Sequence, residues 1–191
     1  MRHRTSGRKL GRNPNHQRAL LRSLASALFL TEKPDEMYAS TDSRPKRPGR
    51  IVTTLPKAKE VRPLVEKCVT IARKAQKHIR DAEALKTSAE RGSDKWKQWR
   101  NSEEWQKWNN AIAPALAMRR RAIQLIGSKE AVSVLFDVIG PRFEDRNGGY
   151  TRILKLAKPR LGDAGAQAIL EFVGQHDRQK EVSVQIPVDK E

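Results

Sequence analysis

Cationic side chains without acidic partners are the groups of this sequence best suited to chemistry with another molecule. Seven of the first 31 residues are Lys or Arg, and the first acidic residue is Glu32. Such groups repel one another in water, whereas phosphates neutralise them with release of condensed counterions. Polar, Gly and Pro residues separate the cations up to Pro14, so this segment cannot form an apolar core of its own. We predict an extended basic arm that binds nucleic acid, with a solvated surface tail as the alternative.

The charge of the whole chain favours the same partner. The 39 Lys and Arg residues outnumber the 22 Asp and Glu residues, giving a formal charge of +17 and a pI near 10.5, above the value of about 9 that indicates a nucleic-acid binder. Anionic membranes also attract cations, but no run approaches the roughly 18 apolar residues of a membrane-spanning helix. We therefore expect nucleic acid as the partner, and neither a membrane nor a small-molecule substrate.

Groups that could catalyse a reaction or hold a metal are scarce. The single cysteine, Cys68, excludes an internal disulfide, and the four histidines lie too far apart for zinc-ligand spacing. A nucleic-acid enzyme could recruit acidic residues for a divalent cation, but their spacing does not mark a two-metal centre. We expect no enzyme, metal or cofactor. The acidic residues considered are Asp137, Glu144, Asp145 and Asp163.

Four tryptophans form a second unusual feature. Trp96 and Trp99 recur as Trp105 and Trp108, nine residues later, within a basic stretch. Aromatic faces mixed with cations are typical of surfaces that stack on unpaired bases. The same residues could instead form the core of a helical hairpin or pack on a protein neighbour. Both interpretations remain open from the sequence.

Several elements can be placed from periodicity and capping signals. Asn13 and Pro14 predict the start of a helix whose leucines share one face, with Arg18 and Arg22 pointing away from it. Residues 33–50 are broken by prolines and predict a loop, and 51–54 are β-branched and predict a strand. Thr54 then caps a long helix that buries Cys68, although Pro63 should kink this helix or delay its start.

The second half of the chain predicts further helices and two strands. A helix break is expected at 92–94, and a new helical stretch at 119–121. Ser128 caps a helix with a buried Val132 to Ile139 stripe that ends at 140–141. Residues 150–155 and 166–172 predict strands, the second with alternate residues on one side. After 174 we expect a flexible terminus, although the alternation over 182–188 also suits an edge strand.

These elements predict an α+β fold with a small mixed three-stranded sheet packed against helices. We expect a basic arm at 1–14 and a single domain at 15–174, followed by a C-terminal extension at 175–191. Within the domain, 33–50 form a loop insertion and 76–117 a helical, Trp-rich insertion.

Targeting signals give one further expectation. The basic start and the apolar stretch from Ala19 imitate a signal peptide, but Arg22 interrupts that stretch and argues against secretion. The sequence therefore predicts an intracellular protein, with a mitochondrial presequence left open by composition. An intact terminus at Met1 or Arg2 would favour the bacterial cytoplasm over an organelle.

Four sequence blocks, taken together and in order, resemble one family. The chain is similar to the bacterial large-subunit ribosomal protein L17 family over roughly 1–31, 51–75 and 118–173. It departs from the compact family pattern in the two insertions and the C-terminal extension. The blocks are Met1 to Asn13, Thr53 to Glu60, Gly140 to Phe143, and Gly148 to Lys155.

The resemblance implies a structural protein of the large ribosomal subunit that stabilises rRNA near the polypeptide exit tunnel. It implies neighbouring ribosomal proteins as partners, no catalytic residue and no homo-oligomer. A general nucleoid-type binder is the alternative, although no zinc finger, basic zipper or obvious paired-helix reader is present. The residues expected to contact rRNA are Arg2, His3, Arg4, Arg8, Lys9, Arg12, Asn13, His16, Arg18, Arg22, Lys57, Lys59, Tyr150, Arg152 and Lys155, with Trp96, Trp99, Trp105 and Trp108 as possible RNA or protein contacts.

Overall fold

The computed structural model describes residues 7–38 and 44–174. Helices pack against a three-stranded sheet, so the α+β prediction is confirmed. Short turns lie at Asp35–Met37 and Leu135–Ile139, the second of them a π-helical turn. The main elements are α1 (Pro14–Leu30), β1 (Arg50–Thr54), α2 (Leu55–Glu83), α3 (Asp94–Arg100), α4 (Glu103–Ile126), α5 (Lys129–Val134), α6 (Gly140–Arg142), β2 (Thr151–Lys155) and β3 (Gln167–Phe172).

The helix starts predicted at Asn13, Thr54 and Ser128 agree with the structure, although the Thr54 side chain makes no capping hydrogen bond. The side chain of Asn13 accepts a hydrogen bond from the amide of Asn15 at 2.8 Å, and Pro14 occupies the first turn of α1. Ser93 and Ser128 cap α3 and α5 in the same way, each accepting at 3.2 Å. Side-chain acceptors at these positions satisfy amides that have no partner within the helix. The break at 92–94 and the cap at Ser128 are therefore confirmed.

The sheet is antiparallel throughout, so the expectation of a mixed sheet is wrong. Its strand order is β1-β3-β2, with both β1 and β2 antiparallel to β3. Ile51 and Ile153 are paired with Leu170 from opposite sides. β1 and β2 therefore run in the same direction, but β3 lies between them, and no parallel ladder forms.

The core lies between the helices and one face of the sheet. Ala168, Leu170 and Phe172 alternate along β3 and are buried, as the strand pattern predicts, whereas Ala166 precedes the strand and is exposed. Phe172 stacks on Phe29 of α1, with ring centroids 6.1 Å apart. The strand thus joins the first helix to the sheet.

Three helix boundaries differ from the sequence prediction. α2 starts at Leu55 and continues through Pro63, so the predicted delay is wrong. Arg119, Arg120 and Arg121 lie inside α4 and do not open a helix. Gly140 and Pro141 continue the helical path in α6, because proline is compatible with the first turn of a helix.

Cys68 is fully buried in the core, as its position in the apolar stripe of α2 predicts. Burial raises the pKa of its thiol to about 12, because the apolar surroundings disfavour the thiolate. The thiolate is the nucleophilic form. Cys68 therefore acts as a small apolar side chain and not as a reactive group.

A buried polar contact joins α2 to the π-helical turn. The side-chain amide of Gln76 donates to the carbonyl of Phe136 at 2.9 Å, and Gln76 is buried. Gly140 lies directly against the same amide, and a Cβ there would overlap the Gln76 Nε2 and approach the Leu135 carbonyl at 3.3 Å. The absence of a side chain at 140 therefore lets α2 approach this turn.

We expect Gly140→Ala to lower the free energy of unfolding by about 2 kcal/mol, because the added methyl displaces Gln76 from its buried acceptor. Urea denaturation measures the change. A double-mutant cycle with Gln76→Ala provides the control, since the double variant should lose less than the sum of the single losses. Additive losses would show that Gln76 is not the cause.

Within the described residues, no helix is both long and apolar enough to cross a bilayer.

Candidate nucleic-acid interface

The described part of the arm is anchored at the junction of α1 and α2. The Arg8 carbonyl accepts a hydrogen bond from the Gln17 side chain at 2.8 Å. The Arg8 guanidinium lies 3.6 Å from the carboxylate of Glu60 on α2 and remains half exposed. Lys9 and Arg12 are exposed beside it. Arg2, His3 and Arg4 lie outside the described residues.

The polar side of α1 continues this basic surface. Asn13, His16 and Arg18 are exposed. Arg22 is exposed as well, but its guanidinium donates to the carbonyl of Gln124 in the last turn of α4 at 2.8 Å. A cation is favourable at a helix C-terminus because of the helix dipole. Arg22 therefore helps to hold α1 against α4, a role that its sequence position did not indicate.

A groove between α2 and β2 brings two predicted rRNA contacts together. Lys59 and Lys155 line it with Arg62, and the cavity measures about 600 Å³. Sequence reasoning missed Arg62, although its position three residues after Lys59 placed both on neighbouring parts of one helix face. Lys57 is partly exposed near the start of α2 and does not line the groove. The remaining lining residues are Leu55, Pro63, Glu66 and Ile153.

Glu66 holds the two walls of this groove together. Its carboxylate accepts hydrogen bonds from the amides of Tyr150 and Thr151 at 3.1 and 2.9 Å, and from the Thr151 hydroxyl at 2.6 Å. Arg62 is only 3.9 Å away from the same carboxylate. Because this distance is long and the Arg62 side chain is half exposed, the ion pair with Glu66 is weak. Sequence reasoning missed this residue, since its partners are 84 and 85 positions away.

Tyr150 is a correction to the predicted contacts. It is 1% exposed, and its ring packs against Phe143 with centroids 5.2 Å apart. Its amide donates to Glu66 and its carbonyl accepts from Val173. Since the ring lies in the core and both backbone groups are bonded, Tyr150 shapes the start of β2 and cannot present its side chain to rRNA.

Arg152 is paired within the sheet. Its Nε lies 2.6 Å from the carboxylate of Glu171 on β3, which is buried. Arg50 on β1 lies 3.6 Å from the other oxygen of that carboxylate. One acidic side chain thus joins the three strands across one face. The charge of Arg152 is partly compensated inside the protein, in contrast to Lys59 and Lys155.

The four tryptophans are divided between two helices. Trp96 and Trp99 lie on α3, whereas Trp105 and Trp108 lie on α4 after a break at Asn101 and Ser102. Trp99 and Trp108 meet edge to face with centroids 5.7 Å apart. All four side chains remain partly exposed, so the hairpin core that they form is incomplete.

Three of the four acidic residues that could be assembled into a metal site pair with cations. Asp163 is bonded to Arg160, which lowers the pKa of its carboxyl group. Asp137 lies 3.7 Å from Arg119, and Glu144 pairs with Arg80. In the part of the chain that the structure describes, no three His, Cys, Asp or Glu side chains form a group suited to a metal ion.

A small basic α+β domain whose candidate site is a cationic surface has the character of a structural nucleic-acid-binding protein. Comparison with known proteins then gives the family. A family model described as "Ribosomal protein L17" matches residues 20–173. "Large ribosomal subunit protein bL17" of Rhodopirellula baltica is 60% identical over 178 residues, which are 93% of this chain and 83% of that protein.

Two further relatives carry the same description. The protein of Bradyrhizobium diazoefficiens is 37% identical over 173 residues, covering 91% of this chain and 84% of its own length. The protein of Nitratidesulfovibrio vulgaris is 36% identical over 172 residues, which are 90% of this chain and 87% of that protein. This chain belongs to the ribosomal protein L17 family, as the resemblance of its sequence blocks predicts.

Proposed function

We propose that this chain is a structural constituent of the large ribosomal subunit that binds and stabilises large-subunit rRNA. The observation that carries the proposal is the 60% identity over 93% of the chain to a protein named for that subunit. The named relatives are bacterial, which supports the bacterial cytoplasm as the location. The family is structural, so the role requires no catalytic residue or cofactor.

The distribution of cations supports rRNA as the ligand. The base of the arm, the exposed side of α1 and the groove between α2 and β2 present Arg8, Arg12, Arg18, Lys59 and Lys155. Among these five, only Arg8 forms an ion pair with a carboxylate in the described part of the chain, and that pair lies at the surface. Exposed pairs of this kind are weak and exchange readily for phosphate. In this proposal the arm follows rRNA while the groove holds one backbone segment near the exit-tunnel side, beside neighbouring ribosomal proteins.

The proposed role follows from the division between paired and unpaired charges. Glu66, Glu171 and Glu32 stabilise the fold by accepting hydrogen bonds from the chain itself. The cations at the base of the arm, on the exposed side of α1 and in the groove remain available to phosphates, and the folded domain fixes their positions. A folded domain with an arm thus neutralises rRNA charge at defined points, which lets RNA segments approach one another.

Sucrose-gradient fractionation of native lysate in high salt tests this function. Mass spectrometry should find the protein in the large-subunit peak, in a one-to-one ratio with other proteins of that subunit. Recovery in light fractions or together with DNA would contradict the proposal and favour a general nucleic-acid binder.

A further inference from the structure

We propose that the surface groove lined by the four tryptophans of the α3 and α4 hairpin binds unpaired bases of an RNA strand. The inference rests on the proposed function, because it assigns a second contact to the same class of ligand. It concerns the helical insertion, whose cavity shares no lining residue with the groove between α2 and β2.

The shape of the site is suited to flat aromatic groups. The loop after α2 forms one wall, and α3 and α4 form the others. The cavity measures about 610 Å³, within the roughly 300–1,000 Å³ of sites that hold small organic groups. The residues that line it are Lys86, Thr87, Ala89, Arg91, Trp96, Trp99, Arg100, Trp105 and Trp108.

The fold does not use these indoles fully. None of the four tryptophans belongs to the buried core, and all four are partly exposed. The edge-to-face contact between Trp99 and Trp108 holds α3 against α4. An exposed cluster of large aromatic side chains generally marks an interaction site, because leaving them in water is unfavourable.

The charge around the indoles favours RNA over a protein partner. Lys86, Arg91 and Arg100 line the cavity, and no acidic residue of the described part does. Glu104 lines the adjoining cavity with Trp99, where Lys86 and Lys107 accompany it. The guanidinium of Arg100 lies 5.2 Å from the centroid of Trp96, where it combines a cation with an aromatic face. Asp94, the acidic residue of α3, is bonded to Lys97 at 3.0 Å. Proteins that bind single strands usually combine aromatic faces, which stack on the bases, with cations, which bind the backbone.

The chain provides its own probe for the test. All four of its tryptophans line this groove, so intrinsic tryptophan fluorescence reports on the groove alone. We expect a short oligouridylate to change the emission of the full-length protein saturably. A duplex RNA with the same number of phosphates should bind at least tenfold more weakly at this site, because its bases are already stacked.

Replacement of Trp96 and Trp105 separates stacking from charge. These two are chosen because Trp99 and Trp108 hold the hairpin together and remain as fluorescent reporters. Trp96→Leu with Trp105→Leu should weaken oligouridylate binding on the order of tenfold for each base that loses its partner. The matched pair Trp96→Phe and Trp105→Phe keeps an aromatic face and should stay within about threefold of the parent protein, and the melting temperatures of both pairs show whether the hairpin remains folded.

The outcomes distinguish this inference from the proposed function. Equal single-strand binding by the Leu and Phe variants would overturn the base-binding groove, while recovery of the parent protein in the large subunit would leave the ribosomal role intact. A Leu variant that binds oligouridylate normally but is lost from large subunits would also overturn the inference, because the groove would then hold a protein. Absence of the parent protein from the large subunit would instead reject the proposed function.

Discussion

Replacing Lys59, Arg62 and Lys155 with Gln should flatten the salt dependence of binding to large-subunit rRNA by about two units of slope, and by about four when Arg8 and Arg12 are replaced as well. Each phosphate contact contributes about 0.7–0.9 to the slope of log affinity against log salt. The five-residue variant should therefore bind at least about a hundredfold more weakly near 0.1 M salt. A filter-binding titration over several salt concentrations gives both quantities.

A control on the same helix separates local contact from net charge. Lys67, Lys74 and Lys77 are exposed on α2 but do not line the groove. Replacing these three with Gln removes as much charge as the groove triple variant. The slope should change less than half as much, because a loss of net charge alone does not remove phosphate contacts at the groove. Equal slopes for the two triple variants would contradict the assignment of the groove.

Replacing Glu66 with Ala should lower the free energy of unfolding by about 3 kcal/mol. The change leaves two amides and a hydroxyl at the start of β2 without their acceptor. A buried donor that is left without an acceptor incurs its full desolvation penalty. The loss of unfolding free energy should therefore exceed that for removal of an ordinary hydrogen bond. Urea denaturation monitored by circular dichroism measures the loss.

Glu60→Ala is the matched control for this prediction. Glu60 is also an acidic residue of α2, but its partner is the half-exposed Arg8 at 3.6 Å. An exposed ion pair contributes about 0–1 kcal/mol. Similar losses for the two variants would show that the hydrogen bonds of Glu66 to β2 do not carry the stability assigned to them.

The sequence predicts the regular elements well because their signals are local. Asn13 with Pro14 and the alternation along β3 depend on neighbours within a few residues, and both match the structure. Strand direction is a long-range property. Nothing local to 51–54 shows that β3 lies between β1 and β2, so the local pattern does not predict that every pair of strands is antiparallel.

The candidate site was predicted less completely, for the same physical reason. The sequence predicts Lys59 and Lys155 as rRNA contacts, but Arg62 joins them only because β2 forms the opposite wall of the groove, which no local pattern shows. The place of Tyr150 in a family block predicts an rRNA contact, whereas packing against Phe143 buries its side chain. Charge density indicates the type of ligand, but burial and pairing, which depend on the tertiary structure, decide which side chains can reach it.

Lysine footprinting on intact large subunits tests the central claim most directly. Acetylation of the free protein and of the protein within purified subunits, followed by mass spectrometry, gives the protection of each lysine. Lys59 and Lys155 should be protected at least about tenfold in the subunit, because phosphates replace water around both ammonium groups. Equal acetylation of these two lysines in the free and assembled states would contradict the account.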